Sequence, residues 1–323
     1  MRIIISKDND RLYRSKLLSF DPLMEIIALN PLDTNDPDWE TLPESDALFM
    51  CYQFLFAARD NPKIHDALLS LAKRMKFLQS GFAGMDAPIL QDVLKIENVH
   101  IANASSVYAI PIAHYVFSQI LRWNKRIDQH IDFQQSKNWA PIAGDGELTN
   151  KTLVILGYGG IGSQVAKLGK AFGMRVTGIR RNPQDDEHAD EVLGLDRFQE
   201  LLPLTDYLVL SLPDSPQTRD IINANILEKL SSSAMIINVG RGTAISEDDL
   251  INALNDGKIA AAALDTTRVE PLDANSLLWT AKNCFISAHD SAHSLLSLER
   301  AFELFFRNIV KIKNHKPIEN LYS

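Results

Sequence analysis

A chain of 323 residues, 46% apolar and 23% charged, has the composition of an ordinary globular protein and the length for two domains with separate cores. A net charge of −8 argues against nucleic acid or an anionic membrane as the main partner, so an anionic ligand needs a local positive site. The only cysteines, Cys51 and Cys284, argue against a disulfide framework or a cysteine-built metal site, and no metal is expected.

The opening MRIIISKDNDR holds an apolar run of strand length, too short for a signal-peptide core, and no run approaches a membrane span. A soluble, cytoplasmic protein is expected. Over the first hundred residues, short buried strands are predicted at Arg2–Ser6, Glu25–Leu29, Ala47–Cys51, Lys76–Gln79 and His100–Ala102. Helical stretches lie between several of them, including Asn61–Met75 with Pro62 at its first turn. That alternation predicts an α/β, doubly wound parallel sheet without a glycine fingerprint of its own.

A long amphipathic segment follows from Pro111 to about Phe133, with Ile112, Tyr115, Val116, Gln119, Ile120 and Trp123 at helical spacing. It reads as the crossover between domains. The loop from Asp132 to Asn150, holding Trp139, Pro141, Gly144 and Gly146, then reaches the most informative stretch of the chain.

That stretch is 150–182. An apolar run, Thr152 to Leu156, enters Gly157-Tyr158-Gly159-Gly160-Ile161-Gly162, a helical pattern follows, and a second strand is expected at Arg175–Ile179. Strand, glycine loop, helix and strand in about 30 residues make the context of a dinucleotide-binding fingerprint. Gly157 allows the tight turn, Gly159 lets backbone approach the pyrophosphate, and Gly162 lets the helix pack on the strand. The helix N-terminus offers N–H groups to the phosphates. Where an NAD site places a carboxylate for the ribose 2′-hydroxyl, this chain has Arg180, Arg181 and Asn182, with no carboxylate before Asp185. Two guanidiniums suit a 2′-phosphate, so NADP(H) is expected in preference to NAD(H).

Further strands are predicted at Tyr207–Leu212, Met235–Val239, Ala260–Leu264 and Cys284–Ser287, with helices at Asn225–Leu230, Glu247–Asp256 and Leu295 to about Lys313. The last should return to pack on the first domain. Four polar pieces lie at strand ends, where open α/β sheets place their sites: Leu212-Pro213 with Thr218, Val239-Gly240-Arg241, Asp265 running to Glu270, and the His289 segment. Together they supply an arginine, a glutamate and a histidine. A guanidinium can bind the carboxylate of a 2-keto acid and polarise its carbonyl. Hydride reduction leaves an alkoxide that needs a proton from an acid titrating near neutrality, which histidine is, and a paired carboxylate fixes its tautomer. Arg241, His289 and Glu270 are the candidates, with His293 a competing imidazole. Asp265 is a candidate for the nicotinamide side of the cofactor or a plain strand-end residue.

The motifs GYGGIG, SLPDSPQT, INVGRG, ALDTTRVEPL and SAHDSAHS stand in the order and at the spacing of the D-isomer-specific 2-hydroxyacid dehydrogenase family, which the chain resembles along nearly its whole length. QSGFAGMD (79–86) resembles that family's substrate loop. The resemblance implies two doubly wound parallel-sheet domains, a Rossmann cofactor domain (104–290) inserted in a flavodoxin-like substrate domain (1–103 and 291–323), and a homodimer. It carries the Arg–Glu–His set onto Arg241, Glu270 and His289, and implies that backbone N–H groups near Ala83 and Gly84 help hold the substrate carboxylate. The chain departs from the pattern in Ala288 before the histidine and Asp290 after it, and in lacking a glycine in 103–106. The length and the arginine pair are most similar to the glyoxylate/hydroxypyruvate reductase branch.

The expected activity is therefore NADPH-preferring reduction of small 2-keto acids to D-2-hydroxy acids in a cleft between domains that closes over them. An NAD-dependent D-lactate- or phosphoglycerate-type dehydrogenase is the alternative within the enzyme class. A cofactor-sensing interaction protein on the same fold is the alternative outside it.

Overall fold

The computed structural model describes residues 1–31, 42–143 and 146–322. Gly144, assigned above to the loop before the fingerprint, lies outside them. The chain forms two compact units, Met1–Tyr108 with Ser294–Ser323, and Ala109–His293.

The first unit holds β1 (Arg2–Ser6), α1 (Lys7–Phe20), β2 (Glu25–Leu29), β3 (Ala47–Met50), α2 (Tyr52–Asp60), α3 (Pro62–Ala72), β4 (Phe77–Ser80), α4 (Pro88–Val93) and β5 (His100–Ala102). Its strands lie parallel in the order β2-β1-β3-β4-β5, the flavodoxin-like arrangement. Ile3, Ile4, Ile5, Leu48 and Leu78 are fully buried, as strands covered on both faces require. Helix α3 begins as its sequence demands, with the Asn61 side chain accepting from the Lys63 N–H and Pro62 in the first turn.

Helix α5 (Ser105–Asn124) differs from the expectation, starting six residues earlier and carrying Pro111 inside it. The lost backbone bond is outweighed by the apolar face of Val107, Ala109, Ile112, Ala113, Val116 and Ile120, all buried. Nor does it run to Phe133. Arg126 adopts a left-handed conformation (φ 54°), and a separate helix, α6 (Ile127–Gln135), follows with no buried residue. The division between the units falls inside α5.

The second unit continues with β6 (Thr152–Leu156), α7 (Gly160–Ala171), β7 (Arg175–Ile179), β8 (Glu191–Leu193), α8 (Phe198–Leu201), β9 (Tyr207–Leu210), α9 (Ala224–Leu227), β10 (Met235–Asn238), α10 (Glu247–Asn255), β11 (Ala261–Leu264) and β12 (Cys284–Ile286). Among the described residues these form a seven-stranded parallel sheet in the order β12-β11-β10-β9-β6-β7-β8, a Rossmann arrangement that reverses between β6 and β9. Strand β8 (Glu191–Leu193) is not among the predicted strands.

Helix α11 (Leu295–Lys313) packs within the first unit, as expected of the final helix. Phe302 and Phe305 are fully buried, with Phe305 stacked 5.2 Å from Phe49 and Phe302 stacked 3.9 Å from Tyr13. Among the described residues, no helix is long and apolar enough to cross a membrane.

Candidate active site

Parallel pairing brings the carboxyl ends of β6, β9, β10, β11 and β12 to one edge of the seven-stranded sheet, with Asn238, Leu264 and Ile286 in register. At the reversal point Gly157 turns the chain with φ 102°, and an added Cβ would lie 2.7 Å from the Ser211 carbonyl oxygen. The Ser211 hydroxyl donates to the Gly157 carbonyl at 2.8 Å, fastening the glycine loop to the end of β9.

This loop fits a dinucleotide. Gly159, the N-cap of α7, supplies no side-chain cap, and nothing lies within 4 Å of where its Cβ would be. The first N–H groups of α7, from Gly160, Ile161 and Gly162, are thus available to a pyrophosphate. Tyr158 turns inward and is buried against Gly178, so only its backbone faces the loop. Beyond β7, neither Arg180 nor Arg181 pairs with a carboxylate among the described residues.

One nearby carboxylate escaped the sequence reading. Asp186 folds back to accept from the Ser163 hydroxyl at 3.0 Å, in the first turn of α7, and from the His188 N–H at 2.8 Å. Burial opposes its charge, but these two bonds hold it below the ordinary carboxylate value. No periodicity or motif links positions 163 and 186.

Among the other expected cofactor contacts, Val239 is buried, Leu212 is half-buried and Pro213 is exposed. Thr218 shapes its own turn, accepting from the Ser215 N–H at 2.9 Å and donating to the Pro213 carbonyl at 2.7 Å.

The acid–base geometry lies after β11 and β12. His289 Nδ1 is 2.8 Å from Glu270 Oε2. A carboxylate can only accept, so Nδ1 carries the hydrogen and Nε2 is left for another partner. The Thr267 N–H donates to the other glutamate oxygen at 3.1 Å, fixing the carboxylate. The bond to Glu270 raises the His289 pKa above its ordinary value against burial, with Arg241 lowering it and Asp265 raising it. Glu270 resists the upward push of burial and stays below the usual carboxylate value, held chiefly by His289, with Arg241 contributing. Arg241 therefore acts electrostatically on both members of the pair. Its loop sits close to the Glu270 loop because Gly242 packs on Thr267, where a Cβ would lie 2.0 Å from the backbone carbon. The competing imidazole, His293, is exposed and pairs with no carboxylate among the described residues.

Asp265 is buried and turned to structural use. Its Oδ1 accepts from the Ser287 hydroxyl (2.7 Å) and from the Asp290 and Ser291 N–H groups (3.1 Å each), and its Oδ2 accepts from the Ser291 hydroxyl. The His289 N–H donates to the Asp265 carbonyl at 2.9 Å. Ser287 spends its hydrogen on Asp265, so Tyr115, 2.7 Å away, must be the donor to Ser287. Burial pushes the Tyr115 phenol up to about 12, which keeps it a donor. This chain of bonds holds the 287–291 loop, including His289 in a left-handed conformation (φ 54°). The serines flanking His289 were the one signal in the sequence.

A glycine cradle for a dinucleotide beside a histidine–carboxylate pair marks a nicotinamide-dependent oxidoreductase. Residues 117–291 match the family model described as D-isomer specific 2-hydroxyacid dehydrogenase, NAD binding domain. The chain is 30% identical to a glyoxylate reductase of Aeropyrum pernix over 299 residues, covering 88% of this chain and 86% of that one. It is 31% identical to the human glyoxylate reductase/hydroxypyruvate reductase over 221 residues, 67% of each chain. In three dimensions it is similar to a D-isomer specific 2-hydroxyacid dehydrogenase family protein of Aeromonas salmonicida, with a TM-score of 0.82, 27% identity, and coverage of 100% and 98%. The chain belongs to the D-isomer specific 2-hydroxyacid dehydrogenase family and is an NAD(P)-dependent enzyme of that class.

Proposed function

We propose that this enzyme reduces small 2-keto acids such as glyoxylate or hydroxypyruvate to D-2-hydroxy acids, with NADPH preferred. The observation that carries the reading is the 2.8 Å His289–Glu270 bond, which leaves Nε2 free to give a proton. When bound, the reduced nicotinamide supplies the hydride that adds to the keto carbon. Arg241 binds the substrate carboxylate and polarises the carbonyl, with N–H groups of Ala83 and Gly84 as further donors to the carboxylate. His289 passes its proton to the developing alkoxide, and Glu270 holds the imidazole in the required tautomer and favours its charged form.

The glycine loop (Gly157, Tyr158, Gly159, Gly160, Ile161, Gly162) and the residues Leu212, Pro213, Thr218, Val239 and Asp265 are proposed to line or shape the cofactor site. Arg180 and Arg181 support NADP(H), since at the end of β7 neither guanidinium pairs with a carboxylate among the described residues. One observation favours NAD(H) instead: Asp186 places a carboxylate against the first turn of α7, where a ribose hydroxyl could donate to it. A homodimer in the cytoplasm completes the proposal. Helix α6, which buries none of its residues and exposes Ile127 and Ile131, supports an assembled state.

Oxidation of NADPH and of NADH, followed with glyoxylate, hydroxypyruvate, pyruvate and bulkier keto acids, tests this reading. Turnover is expected with the small acids, and Arg241→Ala should lower kcat/KM by about a hundredfold or more, the loss of a bidentate charge-assisted pair. A cofactor sensor would bind NADPH and oxidise it with none of them.

A further inference from the structure

Residues 81–87 join β4 to α4 in the first unit, and three successive carbonyls of this segment are occupied. The Tyr108 hydroxyl donates to Gly81 O, the Ala104 N–H to Phe82 O at 2.7 Å, and the Asn103 side-chain amide to Ala83 O at 3.2 Å. All three donors come from one short segment, 103–108. A trans peptide is planar, so its N–H points opposite to its C=O. Fixing Phe82 O and Ala83 O toward that segment therefore aims the N–H groups of Ala83 and Gly84 away from it. Neither N–H has a partner among the described residues, and both residues are half-buried. Adjacent unpaired N–H groups with one orientation make a concavity that suits an anion.

The clamp is itself anchored. Asn103 Oδ1 accepts from the Ser105 N–H at 3.2 Å, which orients its amide toward Ala83. Fully buried Gln79 donates from Nε2 to the carbonyls of Ser80 and Asn103 at 3.0 Å each, tying the two segments together. Its Oε1 accepts from Asn308 of α11 at 2.8 Å. The Ala83 and Gly84 donors are thus preorganised, so little ordering remains to be done when an anion arrives.

We infer that Asn103 and Tyr108 are positioning residues that fix the peptides of 81–83 so that the Ala83 and Gly84 N–H groups seat the carboxylate of the keto acid. This rests on the function proposed above. Asn103 acts on the peptide that carries the Gly84 N–H, so its loss should be the more costly. Tyr108 acts one peptide before Ala83 and should matter less. Neither should alter NADPH binding, because both belong to the first unit and the glycine loop to the second.

The test compares glyoxylate with its neutral methyl ester in wild-type, Asn103→Ala and Tyr108→Phe enzymes, with NADPH affinity and Tm measured alongside. Wild type should prefer the acid. In Asn103→Ala the KM for glyoxylate should rise about 5- to 30-fold, the effect of one misplaced hydrogen bond, with ester kinetics and NADPH affinity unchanged. Tyr108→Phe, which removes one hydroxyl and little packing, should show a smaller rise of the same kind. A general loss of fold would instead lower Tm and affect acid, ester and NADPH together, and such a result in both variants overturns the assignment. So does an acid-over-ester preference that both variants keep intact, though the proposed function would stand. A wild type that treats acid and ester alike removes the seat itself.

Discussion

The loop after β12 and the segment after β7 leave the same sheet at the same edge, yet they are built in opposite ways. Around His289, the carboxylates of Asp265 and Glu270 take up backbone and side-chain donors until the imidazole has one orientation. After β7, Arg180 and Arg181 pair with no carboxylate among the described residues. A proton donor must be in place before the substrate arrives, because a small displacement of the reacting atoms costs much of the rate. A phosphate-binding guanidinium can be ordered by the phosphate itself. The contrast separates a region whose geometry is set by the fold from one that, on the proposed function, a bound phosphate would order.

Three variants can break or sharpen this contrast. The largest effect should come from His289→Ala, which removes the proposed proton donor and should lower kcat about 10²- to 10⁴-fold while leaving NADPH affinity unchanged. Turnover near the wild-type rate would end the assignment of His289. Next in size, Arg180→Asp combined with Arg181→Ala should weaken NADPH by about 10- to 100-fold, the worth of one or two charge-assisted bonds, and leave NADH nearly untouched. Equal losses for the two cofactors would show that neither guanidinium meets the 2′-phosphate and would turn attention to Asp186.

The smallest effect is a displacement along the pH axis. Glu270 raises the His289 pKa, so on the proposed mechanism the imidazolium persists above the ordinary histidine value and activity should fall as pH rises through the raised pKa. Glu270→Gln removes the main cause of that shift, so the falling limb of kcat/KM should move to lower pH. A limb that stays in place would mean that the pair does not control the proton.

Much of the fold could be read directly from residue order. Arg2–Ser6, Glu25–Leu29 and His100–Ala102 form strands over the expected spans, because short apolar runs between turn residues have few other ways to be buried. The fingerprint was legible because each glycine answers a local steric demand, as Gly157 does at φ 102°. Helix α5 was misjudged at both ends. Proline is a strong local signal against a helix interior, but the packing of Val107, Ala109 and Val116 outweighed it, and the left-handed turn at Arg126 has no residue-level signal.

The candidate site was legible as residue types but not as connections. Arg241, Glu270 and His289 stood out because their chemistry suits a keto acid, whereas nothing along the chain tied Ser163 to Asp186, Tyr115 to Ser287, or Asn103 to Ala83. The sequence by itself determined the parallel α/β architecture, the dinucleotide loop and the set of ionisable groups, since periodicity, steric limits and acid–base character are local properties. Only the tertiary structure decided that Asp265 braces the histidine loop, that the phenol of Tyr115 supports that brace, and that the N–H groups of Ala83 and Gly84 are turned away from segment 103–108. Those outcomes depend on hydrogen bonds between residues up to 229 positions apart, and such pairings exist only once the sheets have formed.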